Sequence, residues 1–421
     1  MSRGPAAGPP WRLFEVVGLE LEYPIVGPDL AVRPLVEEAF RKVHGRPTSD
    51  VEVGRAGFSN ELAAHVFEIK NPLPLARLVE AEQALVEGVV AFSDLLEREW
   101  GARLLPTGMH PLMDPAREGR LWRRSGRRIY ETYDRVFGVR GHGWLNVQSC
   151  HVNLPFGRSE AETVLLHDAI VGLLPYLPAL AASSPLVEGR LGPVVDNRLS
   201  FYGTNQRRVP SIAGDVVPEP MLSFAGYRRD VLGRIYRDLD EIPEAARLHH
   251  EWVNSRGAIV RFTRRSIEIR VLDTQECVAM DVANAAFVRG ALKRLVERLE
   301  SGEVALPPHG VLVADYLAAV AEGTAARVAA THLRRLAGVG ETVPLTAGEL
   351  LAALAVAAGP VLAAEERPYL DRVVARLAGG NLSERIRRRI APVPEAHRRA
   401  AIVELYGELG DCLRQNRVWE G

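Results

Sequence analysis

The stretch GLELEYPIV, Gly18 to Val26, sets two glutamates two residues apart in an otherwise apolar run. In a β-strand, residues i and i+2 share a face. Glu20 and Glu22 then stand side by side, with Leu19, Leu21 and Tyr23 on the other face. Neighbouring like charges destabilise a sheet. Alternation of this kind is also what the wet face of a one-sided antiparallel sheet shows. Such a face usually mixes Lys, Thr, Ser and Gln, whereas Gly18 to Glu22 offers only carboxylates and a glycine.

The same oddity recurs downstream. CHVNL puts His151 and Asn153 on one face, and SIEIRVLD puts Glu268 and Arg270 on one face, backed by Ile267, Ile269 and Val271. NELAAHVFEIKNP supplies Glu61 and Glu68, whose odd spacing lets them share a face only if one lies outside the regular strand. Carboxylates held together need a compensating cation, or their pKa values rise until they neutralise. Hard divalent ions that take oxygen ligands, Mg²⁺ or Mn²⁺, are the simplest solution. A metal-bearing polar face joined by loop arginines suits ATP, because metal and guanidinium together screen and orient phosphates. Arg198 in DNRLSFY and Arg207 or Arg208 in TNQRRVP are the loop candidates, with ordinary surface arginine as the plain alternative. No phosphate loop, dinucleotide fingerprint, HExxH or GxSxG occurs.

Strand-like runs cover Phe14–Ile25, His65–Ile69, Trp144–Leu154, Ala258–Thr263 and Ser266–Leu272, the last two forming a hairpin across Arg264-Arg265. Helical periodicity occupies LAVRPLVEEAFRKVH, LARLVEAEQALVEGVVAFSDLLEREW, AETVLLHDAIVGLLPYLPALAA and AMDVANAAFVRGALKRLVERLE. Hairpins with inserted helices predict an α+β fold, a largely antiparallel sheet with helices packed on one side. The segment Pro185–Pro220 lacks a clear period and reads as a functional loop. After about Gly302 the strand signals stop, giving a flexible tail at 1–12, a catalytic domain at 13–302 and a helical C-terminal region at 303–421.

The 421 residues allow a sizeable core, and a formal net charge of −1 gives no reason to expect nucleic acid or an acidic membrane as partner. Lys42, Lys70 and Lys293 are the only lysines, which leaves few candidates for lysine chemistry. Cys150, Cys277 and Cys412 show no metal or disulfide spacing, so a reducing, cytoplasmic setting is expected. Cys150, though next to His151, reads as a small buried thiol. The N-terminal MSRGPAAGPPW lacks a signal-peptide core. ELLAALAVAAGPVLAAEE is broken by Gly359-Pro360 and reads as a buried helix rather than a membrane span.

Together, GLELEYPIV, NELAAHVFEIKNP, TGMHPL, HVNL, ALAASSPLVEGRLGPVVDNRLSFY and SIEIRVLD, in that order, resemble the bacterial glutamate–cysteine ligase family of the second type. That family includes carboxylate–amine ligases of the glutamine-synthetase-like superfamily. The helical tail adds a looser likeness in GGNLSERI. The resemblance implies a curved antiparallel sheet whose concave face holds ATP and Mg²⁺. It implies metal binding by Glu20, Glu22, Glu61, Glu68 and Glu268, and catalytic roles for Arg198, Arg270 and His151. Arg207, Arg208, Asn153 and His110 are the expected nucleotide-side residues. The implied reaction joins a small-molecule acid to an amine through an acyl phosphate, with a γ-glutamyl amide of cysteine as one candidate product. A phosphotransferase on the same sheet and a nucleotide-binding scaffold without turnover are the alternatives. The sequence fixes neither substrate, and an oligomer is compatible with it.

Overall fold

A computed structural model of the chain describes residues 11–340 and 343–421. Most of the expected N-terminal tail lies outside the described residues. Seven strands build the central sheet: β1 (Gly18–Val26), β2 (Asp50–Val53), β3 (Ala56–Asn60), β4 (Val66–Lys70), β6 (Ser149–Pro155), β9 (Ala258–Arg261) and β10 (Ser266–Asp273). Their order is β2-β3-β4-β1-β6-β10-β9, every neighbour antiparallel, and the short β5 (Arg103–Leu104) pairs with the end of β1. A separate two-residue pair, β7 (Leu186–Val187) and β8 (Arg190–Leu191), completes the strands.

One face of this sheet is apolar. Leu19, Leu21, Tyr23, Phe58, Phe67, Ile69, Val152, Ile267 and Ile269 are buried in one core together with Leu85 and Phe92 of the helix Leu78–Trp100 and Phe287 of the helix Val278–Glu300. Phe58, Phe67 and Phe92 interlock, with ring centroids 4.6–5.7 Å apart. The α+β architecture expected from sequence is therefore present, helices on one side of an antiparallel sheet. The helices beyond Gly302 do not stand apart: Leu350, Leu354, Val373 and Leu413 belong to the same core as β1.

Three local readings change. Trp144 and Leu145 form a helical turn, His142–Leu145, before β6 begins. The β2–β3 hairpin, turning at Gly54 with φ +61°, was not legible as a strand pair. Pro185–Pro220 is not structureless, for it carries β7–β8 and the helix Asn197–Tyr202. The run Glu160–Ala181 is long and apolar enough to cross a membrane, but 83% of that window is buried inside the fold. The helix Ala347–Ala358 ends at Gly359-Pro360, as its sequence dictates.

Candidate active site on the polar sheet face

Strand register alone assembles the acidic residues. Glu20 on β1 lies opposite His151 on β6 and Lys70 on β4, and Glu22 lies opposite Glu68. Asn153 stands between Gly18 and Glu268. Glu61 follows the end of β3, outside the regular strand, which is the condition its spacing to Glu68 required. This face is not a wet surface. Glu20, Glu22, Glu68, His151 and Glu268 are each 8% exposed or less.

Glu20, Glu68 and His151 each offer a ligand atom within 4.8 Å of the others. His151 Nδ1 sits 3.2 Å from Glu20 Oε2, and its Nε2 sits 2.8 Å from Ser149 Oγ. Ser149 donates to Glu22 Oε2 from both its backbone N–H, at 2.7 Å, and its hydroxyl, at 2.9 Å. Because that hydroxyl proton is spent on Glu22, Ser149 Oγ must accept from Nε2. A second donor, Nδ1–H, then serves Glu20, which makes the ring an imidazolium. Burial opposes this charge, but the Glu20 hydrogen bond and the Glu22 charge raise the His151 pKa. Burial likewise opposes ionisation of Glu20, yet His151, Arg264 and Lys70 hold its pKa well below the usual carboxylate range.

The face is richer in cations than a row of carboxylates implied. Lys70 Nζ contacts Glu68 Oε1 at 2.6 Å and Ser59 Oγ at 2.7 Å. Arg264, from the β9–β10 turn, reaches back to Glu20 Oε1 at 3.0 Å. Glu268 is gripped by Arg261 and, at 3.1 Å, by Arg270 Nε. Arg261 and Arg270 bring its pKa down against the effect of burial. Burial weighs against the Arg270 charge, while Tyr202, Glu268, Glu22 and Glu61 raise its pKa. Charge is thus unevenly spread. Glu268 has two arginines, whereas Glu22 and Glu61 have no ion-pair partner among the described residues. Burial, then Glu22 and Glu68, push Glu61 well up, and burial with Glu20 pushes Glu68 up despite Lys70. One end of the face lacks positive charge and the other end supplies it.

The remaining candidates fall elsewhere. Arg198 is buried beside Asp273, to which its Nε donates, and its two Nη groups lie 3.3 Å from the Arg270 carbonyl. That carbonyl sits in the irregular stretch where the β10–β6 register shifts between Ile269 and Leu272. Arg198 therefore holds the backbone from which Arg270 projects. Gly108 packs so closely on Asp273 that a Cβ there would meet its carboxyl carbon at 2.3 Å. His110 is buried with its ring bound to the Leu30 carbonyl and the Leu112 and Met113 N–H groups, and burial lowers its pKa to about 4. Arg208 donates to the Val136 carbonyl and Arg207 is exposed. Neither forms a bond to the acidic face. Cys150, Cys277 and Cys412 are free and buried. Lys70, Arg261, Arg264 and Ser149 escaped the sequence reading, although Lys70 shares a face with Glu68 by the same i+2 rule that joined Glu20 to Glu22.

A family model, glutamate–cysteine ligase family 2, matches residues 16–406. The chain belongs to that family. An uncharacterized protein of Archaeoglobus fulgidus is 38% identical over 404 residues, covering 96% of this chain and 100% of that one. A putative glutamate–cysteine ligase 2-1 of a Nocardioides species is 32% identical over 155 residues, 37% of this chain and 36% of that protein. Among solved structures, the glutamate–cysteine ligase of Francisella tularensis in complex with AMP superposes with a TM-score of 0.59 at 11% identity, covering 96% of this chain and 89% of that one. A bifunctional glutathione synthetase from Pasteurella multocida superposes with a TM-score of 0.57 at 14% identity. That match covers 94% of this chain and 52% of the other, so this chain spans about half the length of the Pasteurella protein. These two structures share the fold.

Proposed function

We propose that this family member is a carboxylate–amine ligase driven by ATP and a divalent metal, Mg²⁺ or Mn²⁺, with the polar sheet face as its active site. One observation carries the reading: donor atoms of Glu20, Glu68 and His151 from three strands meet within 4.8 Å, beside Glu22 and Glu61. Carboxylate oxygens with one imidazole fit a hard divalent ion, and the raised pKa values of Glu61 and Glu68 mark missing positive charge at that end. Such an ion, held by Glu20 and Glu68 and by His151 once its ring gives up the Nδ1 proton, with Glu22 and Glu61 alongside, would neutralise the triphosphate and orient it.

The chain's own cations take the other part. Bringing a carboxylate to a triphosphate is repulsive, and Arg264 and Arg270 stand where that charge needs a counter-ion. The γ-phosphoryl group passes to the acid, breaking its bond to ADP and forming an acyl phosphate. An amine then attacks the carbonyl carbon, phosphate leaves with the C–O bond, and the nitrogen loses a proton. Glu268, fixed between Arg261 and Arg270, keeps both guanidinium groups on the face. Asn153, opposite Glu268 with its Oδ1 free of partners among the described residues, is available to nucleotide or substrate. Three free cysteines are in keeping with a cytoplasmic setting.

The test is ADP and phosphate release across pairs of amino acids, with mass detection of the coupled product. Release that depends on both an acid and an amine supports the ligase. ADP release with an acid alone would point to a phosphotransferase, and Mg·ATP binding without release to a scaffold.

A further inference from the structure

Four consecutive polar residues, Asp273 to Glu276, carry the chain from the last residue of β10 toward the helix Val278–Glu300, and each is 1% exposed or less. Their bonds run in two directions. Toward the acidic face, Asp273 accepts from Arg198 Nε and, at 2.8 Å, from the Ser183 N–H. Arg198 in turn holds the Arg270 carbonyl. The Thr274 hydroxyl donates to the Glu22 carbonyl at 3.3 Å. The backbone beneath both Glu22 and Arg270 is thus tied to this turn.

The other bonds lead to the region beyond Gly302. Glu276 accepts from Arg376, on the helix Arg367–Ala378, and from the Trp419 N–H at 3.1 Å. Glu276 and Arg376 form a buried ion pair, their side chains 0% and 2% exposed. Gln275 Nε2 donates to the Ala181 carbonyl at 2.7 Å, and that segment is itself gripped from the C-terminal side. The Ser383 N–H donates to the Ala182 carbonyl at 2.9 Å, and Asn381 Nδ2 to the Ala179 carbonyl at 3.1 Å. Relative to an apolar pair of the same volume, a buried ion pair adds little net stability. What it supplies is one fixed geometry. We propose that Glu276 and Arg376 are positioning residues, through which the region beyond Gly302 sets the Asp273-Thr274 turn and so places Glu22 and Arg270 on the acidic face. That Glu22 and Arg270 act in catalysis rests on the function proposed above, whereas their placement does not.

Hydrogen–deuterium exchange on the full chain, without metal or nucleotide, tests the placement, and Mn²⁺ titration tests its consequence. The variant is Glu276→Gln/Arg376→Met, which removes both charges together and leaves an amide oxygen for the Trp419 N–H. The Ser149 N–H is bound to Glu22 and the Arg270 N–H to the Gly257 carbonyl. Peptides carrying these two amides should exchange about 10-fold faster or more. Mn²⁺ affinity should fall about 10-fold. The control is Arg289→Met/Glu366→Gln, a second ion pair whose further bonds run to Phe14, Ala76 and Leu78 rather than to the acidic face. It should leave both peptides and the Mn²⁺ affinity as in wild type. If the Glu276/Arg376 variant fails to fold, Arg376→Lys, which keeps the charge and loses the guanidinium fork, should show the same changes in smaller measure. Unchanged exchange at Ser149 and Arg270 in a folded variant overturns the proposal. So does an equal rise in the control, since loss of any such pair would then act through global stability. Wild type that binds no Mn²⁺ would fell the metal-site reading above and leave the exchange result to decide the positioning alone.

Discussion

Glu20 and His151 oppose each other directly across β1 and β6, ring nitrogen and carboxylate 3.2 Å apart. His151 leans on Ser149, Ser149 donates twice to Glu22, and Glu22 faces Glu68 across β1 and β4. Four side chains from two strands are therefore fixed by one bonding chain. A carboxylate with a single available pose has little orientational entropy left to lose on meeting a cation or a phosphate.

Ser149 is the hinge of that chain. Ser149→Ala removes the hydroxyl donor to Glu22 and the acceptor for His151 while leaving the backbone donor in place. Metal affinity, read by Mn²⁺ titration, should fall about 10–100-fold with the fold retained. Unchanged Mn²⁺ binding would show that Glu22 needs no such support.

Arg264 is nearly half exposed at the tip of the β9–β10 turn, so its loss should cost little stability. Arg264→Gln should lower kcat/KM for ATP by about 10-fold or more with an unchanged thermal midpoint. If kcat/KM holds, the arginine is only a counter-ion for Glu20.

Arg198 and Asp273 form a buried pair with almost no exposure. Removing one partner leaves an uncompensated charge inside. Asp273→Ala should destabilise by ~3–5 kcal/mol, seen as a lower denaturant midpoint. A loss no larger than that of a surface substitution would contradict the buried-pair reading.

His65 carries the clearest pH signature. Its ring is fully buried with neither nitrogen partnered among the described residues, and burial, aided by the His110 charge, lowers its pKa from 6.5 to about 3. The unfolded chain binds this proton near pH 6.5 and the folded chain does not until about pH 3. Stability from neutral His65 is thus complete above pH 6.5 and drains away as pH falls toward 3. His65→Leu should remove about 1.4 kcal/mol per pH unit from the slope of stability across that window. An unaltered slope in denaturant titrations from pH 6.5 to 4 would refute the assignment.

The strands that carry the carboxylates were legible because side chains alternate with period two, and a polar residue at i and i+2 declares its face without any tertiary knowledge. Glu20 with Glu22, His151 with Asn153, and Glu268 with Arg270 each follow from that rule, as does the apolar backing of Leu19, Leu21, Ile267 and Ile269. The family resemblance rests on those same local patterns. What the chain's order of residues could not show is which strands become neighbours, because pairing is set by long-range packing of the apolar face. Only that packing put β6 between β1 and β10, brought Lys70 and Arg264 onto Glu20, and turned Arg198 inward to Asp273 rather than outward to a phosphate. It also decided that the acidic face is buried. Exposure is a property of everything folded over a residue, and no local spacing encodes it.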